Sequence, residues 1–428
     1  MKALINACTY DFVSFKERRY ILFDTKIQKV GDMKDFTGAD EVFDCGGCIV
    51  MPGLTNCHTH IYSTFSRGIN LPFNPKNFKD ILDQLWWKLD GGLDSDAVYY
   101  SGLVYGSHCI KNGVTSIIDH HASGLSIKGS LERLRESICR VLGLRGVFCF
   151  ETSDRFDLYE CIEENLKFCK TADEYCSGLF GMHASMSLSD KSLYEITSRI
   201  GNRPIHIHVA ESMDDVSDCR KKYKKSIVER LDGFELLHKN SILAHCVHIN
   251  ENEAKLIKEN ECLVALNPTS NMNNAVGIAD YDLFWENEIK CLAGSDGLGA
   301  NITRDYLNLV FSMKHRLNSP VKFGIDDLIG IICNGYEYIG LLLNIKIGRI
   351  IEGYKADLVV VPYLPPTPMD ESNMPGHLFF GIFDNFHPRD VFVSGKVLLN
   401  NYQLNFDEKE IFSKAKEESI KVWDRVCK

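Results

Sequence analysis

Eight short apolar runs, separated by helix-length amphipathic stretches, predict an α/β chain folded as a (β/α)8 TIM barrel. Two further observations support that class. Nearly every run ends in His, Asp, Glu or Asn while its interior is apolar, the pattern of a barrel that gathers its chemistry at one rim. β-rich segments at both ends of the chain, neither able to bury a core alone, predict a small composite β-sandwich beside the barrel. A doubly wound sheet would not converge polar groups from all its strand ends.

In order, short alternating strands fill residues 1–50: Lys2 to Ala7, Arg19 to Phe23, Lys26 to Val30 and Glu41 to Asp44. The barrel runs then begin with Leu54 to His60, followed by Val114 to Asp119 and Gly146 to Glu151. Gly178 to His183, Pro204 to Val209 and Ser241 to His245 come next, and Cys262 to Leu266 and Lys290 to Asp296 complete eight. Helices are predicted over 301–345, including Asp326 to Leu343. Four prolines among aromatics and glycines mark 363–385 as a loop across the barrel mouth or a subunit contact. Gly353 to Val361 and Val391 to Leu398 return to strands, and Asp407 to Val426 is an amphipathic helix. The expected division is 1–51 and 347–403 for the sandwich, 52–346 for the barrel and 404–428 for a C-terminal helix.

With 428 residues, 45% apolar and 25% charged, the chain has an ordinary globular composition, and its −10 net charge argues against nucleic acid or an anionic membrane as partner. No signal-peptide pattern or membrane-length apolar run is found, so a cytoplasmic location is expected. The 16 scattered cysteines then read as reduced thiols, Cys45 and Cys48 included, because no second pair accompanies them at zinc-site spacing.

The chemistry starts at His58-Thr59-His60. Period-two geometry puts both imidazoles on one face of a strand, a bidentate start for a transition metal. His208 and Asp296 end the fifth and eighth runs, and at one rim these four would complete a divalent shell with room for water. Such ligands suit Zn2+ or Fe2+. No lysine ends a barrel run where a carbamate could bridge two metals, which favours a single ion. Glu211, three residues after His208, is a candidate proton carrier, and His245 a partner for the attacking water. His183 and His121 are candidate substrate contacts, whereas His120 is expected to orient its loop and His248 to be structural. Arg67, Arg155, Trp86 and Trp87 could shape a flat polar pocket, although tryptophans in a helical segment are more often core.

Met51-Pro52-Gly53-Leu54 with His58-Thr59-His60, His208-Val209-Ala210-Glu211, Ala244-His245-Cys246-Val247-His248, Asn267-Pro268-Thr269-Ser270-Asn271 and Gly294-Ser295-Asp296-Gly297 together resemble the amidohydrolase superfamily. The match is to the branch of cytosine and guanine deaminases and triazine chlorohydrolases. Leu85-Trp86-Trp87-Lys88-Leu89-Asp90, Asp119-His120-His121-Ala122-Ser123 and Ser270-Asn271-Met272-Asn273-Asn274 are similar to SsnA-type aminohydrolases. The resemblance implies one metal ion, zinc before iron, on His58, His60, His208 and Asp296, with Glu211, His245 and Asp296 acting on water. It also implies a homodimer, and it adds Asn271 to the candidate substrate contacts. One departure is Leu266, where the pattern usually has histidine before Asn-Pro-x-Ser-Asn; this bears on substrate identity.

The expected activity is an aminohydrolase: metal-bound hydroxide attacks the C–N carbon of an N-heterocycle, purine-like or pterin-like, while Glu211 moves the protons. One rival is a cyclic amide or ureide hydrolase using the same water. The other, of a different class, is an inactive oligomeric scaffold on the same fold, against which the intact ligand set and Glu211 argue.

Overall fold

The structure, a computed structural model, describes residues 1–427. Eight parallel strands carry the site: Leu54–Thr59, Val114–His121, Arg145–Phe150, Phe180–Ala184, Ile205–Val209, Ile242–His245, Leu263–Leu266 and Cys291–Ala293. All their residues are buried, which suits apolar strands covered on both faces. They form two arcs, the first three with the short Cys176–Gly178 strand, then the other five. Single bridges link the arcs, Thr59 to Asp296 on one side and Thr152 to Met182 on the other. The architecture is of the α/β TIM-barrel type, with helices following the strands.

At the second junction a side chain replaces a ladder. Asn165, on the Leu158–Phe168 helix, accepts from Phe150 N–H at 2.8 Å and Gly181 N–H at 3.2 Å, and donates to the Phe150 carbonyl at 2.8 Å. The strands come so close that a Cβ at residue 181 would run into the Phe150 carbonyl, so glycine stands there.

Strands from both chain ends form one nine-stranded sheet. Its middle pairs Ile49–Pro52 with Leu358–Val361, antiparallel, and Ile49–Pro52 leads straight into the first barrel strand. One face has its own apolar core of Leu4, Ile21, Phe23, Val50, Leu358, Val360 and Phe392. Sheet and barrel are joined by buried Arg145, whose Nε and Nη2 donate to Asp357 at 2.6 and 2.9 Å and whose Nη2 also reaches Ser394 Oγ at 2.8 Å. The terminal helix, Glu408–Val426, packs on Ser95–Lys111, and Trp423 Nε1 donates to the Phe65 carbonyl at 2.7 Å.

Two expectations change. The first hairpin is longer than its alternation implied, Lys2–Tyr10 with Phe15–Phe23, because pairing continues to Tyr10 opposite Phe15. Residues 363–385 contain the helical turns Met374–His377 and Leu378–Ile382. These pack against the Ile302–Arg316 helix, Phe379 on Phe311 and Phe383 on Tyr306, and line no part of the cavity at the strand ends. Apolar burial, rather than the prolines, decides their place.

Candidate metal centre and active site

His58, His60, His208 and Asp296 meet at the C-terminal rim of the strands. Asp296 Oδ1 lies 3.0 Å from His60 Nε2 and 3.5 Å from His58 Nε2. His60 Nε2 and His208 Nε2 are 3.2 Å apart. The hydrogen bonds behind the rings settle their tautomers. His60 Nδ1 donates to the His120 carbonyl at 2.7 Å, and His208 Nδ1 to the His183 carbonyl at 2.8 Å. In the neutral rings each Nε2 is therefore the lone-pair nitrogen. His58 Nδ1 bonds His206 Nε2 at 2.8 Å, which leaves His58 Nε2 buried without a hydrogen-bond partner.

Three imidazole lone pairs and a carboxylate aimed at one point repel one another unless a cation lies between them. The donor set of three nitrogens and one oxygen fits a divalent metal of the zinc kind. The cluster's pull on positive charge is visible at His60. Burial opposes its protonation, yet the hydrogen bond and charge of Asp296 raise it to about 9. At His58 burial wins and lowers the ring to about 3. Burial also pushes the Asp296 carboxyl up, but the neighbouring imidazoles outweigh it and hold it well below the usual range.

Three rim residues have left-handed backbone: Ala210 at φ +48°, His245 at +73° and Asp296 at +54°. For non-glycine residues this costs on the order of 1–3 kcal/mol each and clusters at functional sites. Here it turns the chain sharply at strand ends, so that side chains at the turn point into the mouth.

Buried Glu211 lies beside the cluster, Oε2 3.6 Å from His245 Nε2 and Oε1 3.4 Å from Asn274 Nδ2. Burial lifts its carboxyl to about 7, against the pull of His245. Ser270 Oγ donates to Asp296 Oδ2 at 2.5 Å. His245 donates from Nδ1 to Asn271 Oδ1 at 2.8 Å, so its Nε2 is a buried lone pair without a partner. A cavity opens in front, lined by His60, His208, Glu211 and Asp296 and walled by Trp86 and Trp87.

The expected substrate contacts divide. His183 lines the cavity. His121 does not: it is buried behind it, with Nε2 on Ser123 Oγ at 3.0 Å. Arg67 is exposed and bonds His108 at 3.2 Å, outside the lining. Asn271 serves His245 rather than the cavity. His120 does more than orient a loop, since its ring groups with His60 and His208 and its Nδ1 has no partner. The sequence reading gave no role to Glu151, Asp90, Asp215, Ser270 and Asn274, all in the lining. Glu151 had a legible signal, because it closes a barrel run as the other rim residues do.

The family model described as "Amidohydrolase family" matches residues 49–398, over half of the chain. The chain belongs to the amidohydrolase family. This amidohydrolase is 30% identical over 434 residues to a 5'-deoxyadenosine deaminase of Methanocaldococcus jannaschii, covering 95% of this chain and 97% of that protein. Its fold is similar to a zinc-bound adenosine deaminase of Xanthomonas campestris, with a TM-score of 0.84 at 19% identity over 99% and 98% of the two chains. It is also similar to a zinc-complexed atrazine chlorohydrolase of Arthrobacter aurescens, with a TM-score of 0.81 at 16% identity over 98% and 100%. The amidohydrolase is a metal-dependent hydrolase of C–N bonds. No helix among its described residues is long and apolar enough to cross a membrane.

Proposed function

We propose that the protein is an aminohydrolase that removes an exocyclic amine from an N-heterocycle, purine-like or pterin-like. The observation that carries this reading is the convergence of three Nε2 lone pairs and Asp296 beside a carboxyl that burial holds near protonation, Glu211. The similarity to deaminases of adenine nucleosides adds to it. His58, His60, His208 and Asp296 would hold one ion, zinc before iron; no lysine lines the cavity where a carbamate would bridge a second. Bound there, a divalent ion supplies the nucleophile by bringing the pKa of a water to about 7.

The chain's own residues handle the protons. Asp296, kept ionised among imidazoles and fixed by Ser270, takes one from the attacking water. His245 receives that proton at Nε2, the atom Asn271 leaves free, and steadies the developing oxyanion with it. Glu211, protonated at the outset, gives its proton to the ring nitrogen, then takes the second proton of the added oxygen and passes it to the amine, which departs as ammonia. His245, 3.6 Å away, returns its proton to Glu211 and closes the cycle. Trp86 and Trp87 exclude water from one wall of the cavity. With this function go an SsnA-type subfamily, a cytoplasmic homodimer, a barrel over 52–346, the composite end domain of 1–51 and 347–403, and the helix of 404–428.

The test is ammonia release by metal-loaded protein over amino-purines, aminopterins and aminopyrimidines, with cyclic ureides alongside. Ammonia from an aminated ring is the expected result. Ring opening of a ureide without ammonia from any aminated ring would overturn the reading.

A further inference from the structure

We propose that Glu151 sets the substrate class of this pocket by accepting a hydrogen bond from a ring N–H. The ring taken is then a lactam-type N-heterocycle carrying a donor beside its scissile amine. The inference rests on the N-heterocycle reading above and deepens it.

Glu151 follows the third barrel strand, is buried and lines the cavity. Its neighbours all stay outside the 2.7–3.2 Å of a good N–H···O bond. Arg155 Nη1 is 3.5 Å away, His183 Nε2 3.6 Å and His120 Nδ1 3.7 Å. Arg155 is held back, because its Nη2 donates to both oxygens of Asp90 at 2.6 Å and its guanidinium lies over Trp87, 4.9 Å from the ring centre. Burial disfavours the charged form of Glu151, yet His183, His120 and Arg155 around it hold the carboxyl well below the usual range, so it only accepts.

In their neutral forms both imidazoles turn lone pairs toward this carboxylate. His120 Nε2 faces two carbonyls, Met182 at 2.9 Å and His206 at 3.1 Å, and so carries the hydrogen. His120 Nδ1, on the Glu151 side, is buried with no partner. His183 Nδ1 donates to Ser187 Oγ at 2.6 Å, and that hydroxyl donates onward to the Ala184 carbonyl at 3.1 Å. His183 Nε2 is therefore an acceptor too. The buried carboxylate thus has Arg155 Nη1, at 3.5 Å, as a long donor and keeps accepting capacity for a closer one. A substrate N–H satisfies it, and the Trp87 wall suits a flat ring. Adenine, whose ring N1 and N3 present lone pairs where the lactam has its N–H, would be repelled there.

Matched pairs test this by calorimetric binding to the metal-loaded enzyme: guanine against 2-aminopurine, and isoguanine against adenine. Within each pair the amine stays and only the lactam, with its ring N–H, is added. Wild type should bind one lactam partner at least about 10-fold more tightly, and Glu151→Gln should weaken that partner by about 10- to 100-fold while changing the other little. Glu151→Asp, which retracts the charge, should fall between. Equal or weaker binding of both lactam partners by wild type, no detectable binding of any of the four included, overturns the proposal whatever the variants do. So does an unchanged preference in Glu151→Gln. Metal per chain is measured on each preparation, and a loss confined to the Glu151 variants would make Glu151 a ligand and likewise end the proposal. Ammonia is read separately. Lactam preference without ammonia refutes the aminohydrolase while leaving the role of Glu151 standing; ammonia with an unchanged preference does the reverse.

Discussion

Glu211 and Asp296 are both buried carboxyls on the same rim, yet their surroundings push them in opposite directions. Burial takes Glu211 to about 7, while imidazoles keep Asp296 well below the ordinary range. One is suited to carry a proton and the other to stay charged, the division that acid–base sites exploit. Glu211→Gln should therefore keep its metal and lose about 10²–10⁴-fold in turnover, with both measured on one preparation. A variant retaining more than about a tenth of the rate would move the proton-carrying role elsewhere. His208→Ala should lose metal and activity together, because it removes one of three converging lone pairs. Full metal occupancy in that variant by elemental analysis would take His208 out of the ligand set.

At the scale of elements, Asn165 does for the third and fourth strands what a ladder does elsewhere in the barrel. It positions the strand ends that carry Glu151 and His183. Asn165→Ala leaves the buried Phe150 and Gly181 amides without their acceptor, at about 1–3 kcal/mol for each unsatisfied group. We expect a loss of roughly 3 kcal/mol in urea unfolding, since two such groups at about 2 kcal/mol each would be relieved in part by water. A loss below about 1 kcal/mol would mean that the strands hold each other without it. The rim histidines of the first strand were legible because alternation is local: in an extended run, positions two apart share a face. That Arg67 and His121 would miss the cavity was not legible. Arg67 leaves the rim on a loop after a 3-10 turn, and His121 points opposite to its neighbour His120, and no local pattern states which of the two directions is inward.

For the whole molecule, the link between barrel and end sheet is Arg145, buried at the base of the third strand and bonded to Asp357 and Ser394. Arg145→Ala leaves the Asp357 carboxylate buried and unpaired, for which about 3–5 kcal/mol is the usual cost. Replacing both partners by apolar residues should recover much of it, since breaking a buried pair is worse than removing it. Chemical denaturation of the single and double variants checks this; a double variant no more stable than the single would locate the cost in lost packing. Metal stripping belongs to the same scale. The lone pairs of His58, His60 and His208 meet in a formed barrel, so a chelator should lower the unfolding midpoint, and added Zn2+ should restore it.

The barrel class, the joining of the two β-rich ends and the convergence of His58, His60, His208 and Asp296 on one rim are written in local periodicity or in residue type at a strand end. Which atoms face one another is not. The tautomers of His60 and His208 depend on carbonyls of residues 120 and 183, from other strands. The length of the Arg155–Glu151 contact depends on Arg155 being drawn toward Asp90, on a helical turn 65 residues distant in sequence from Arg155. Hydrogen-bond geometry is a property of groups brought together by packing, and spacing along the chain carries no record of it.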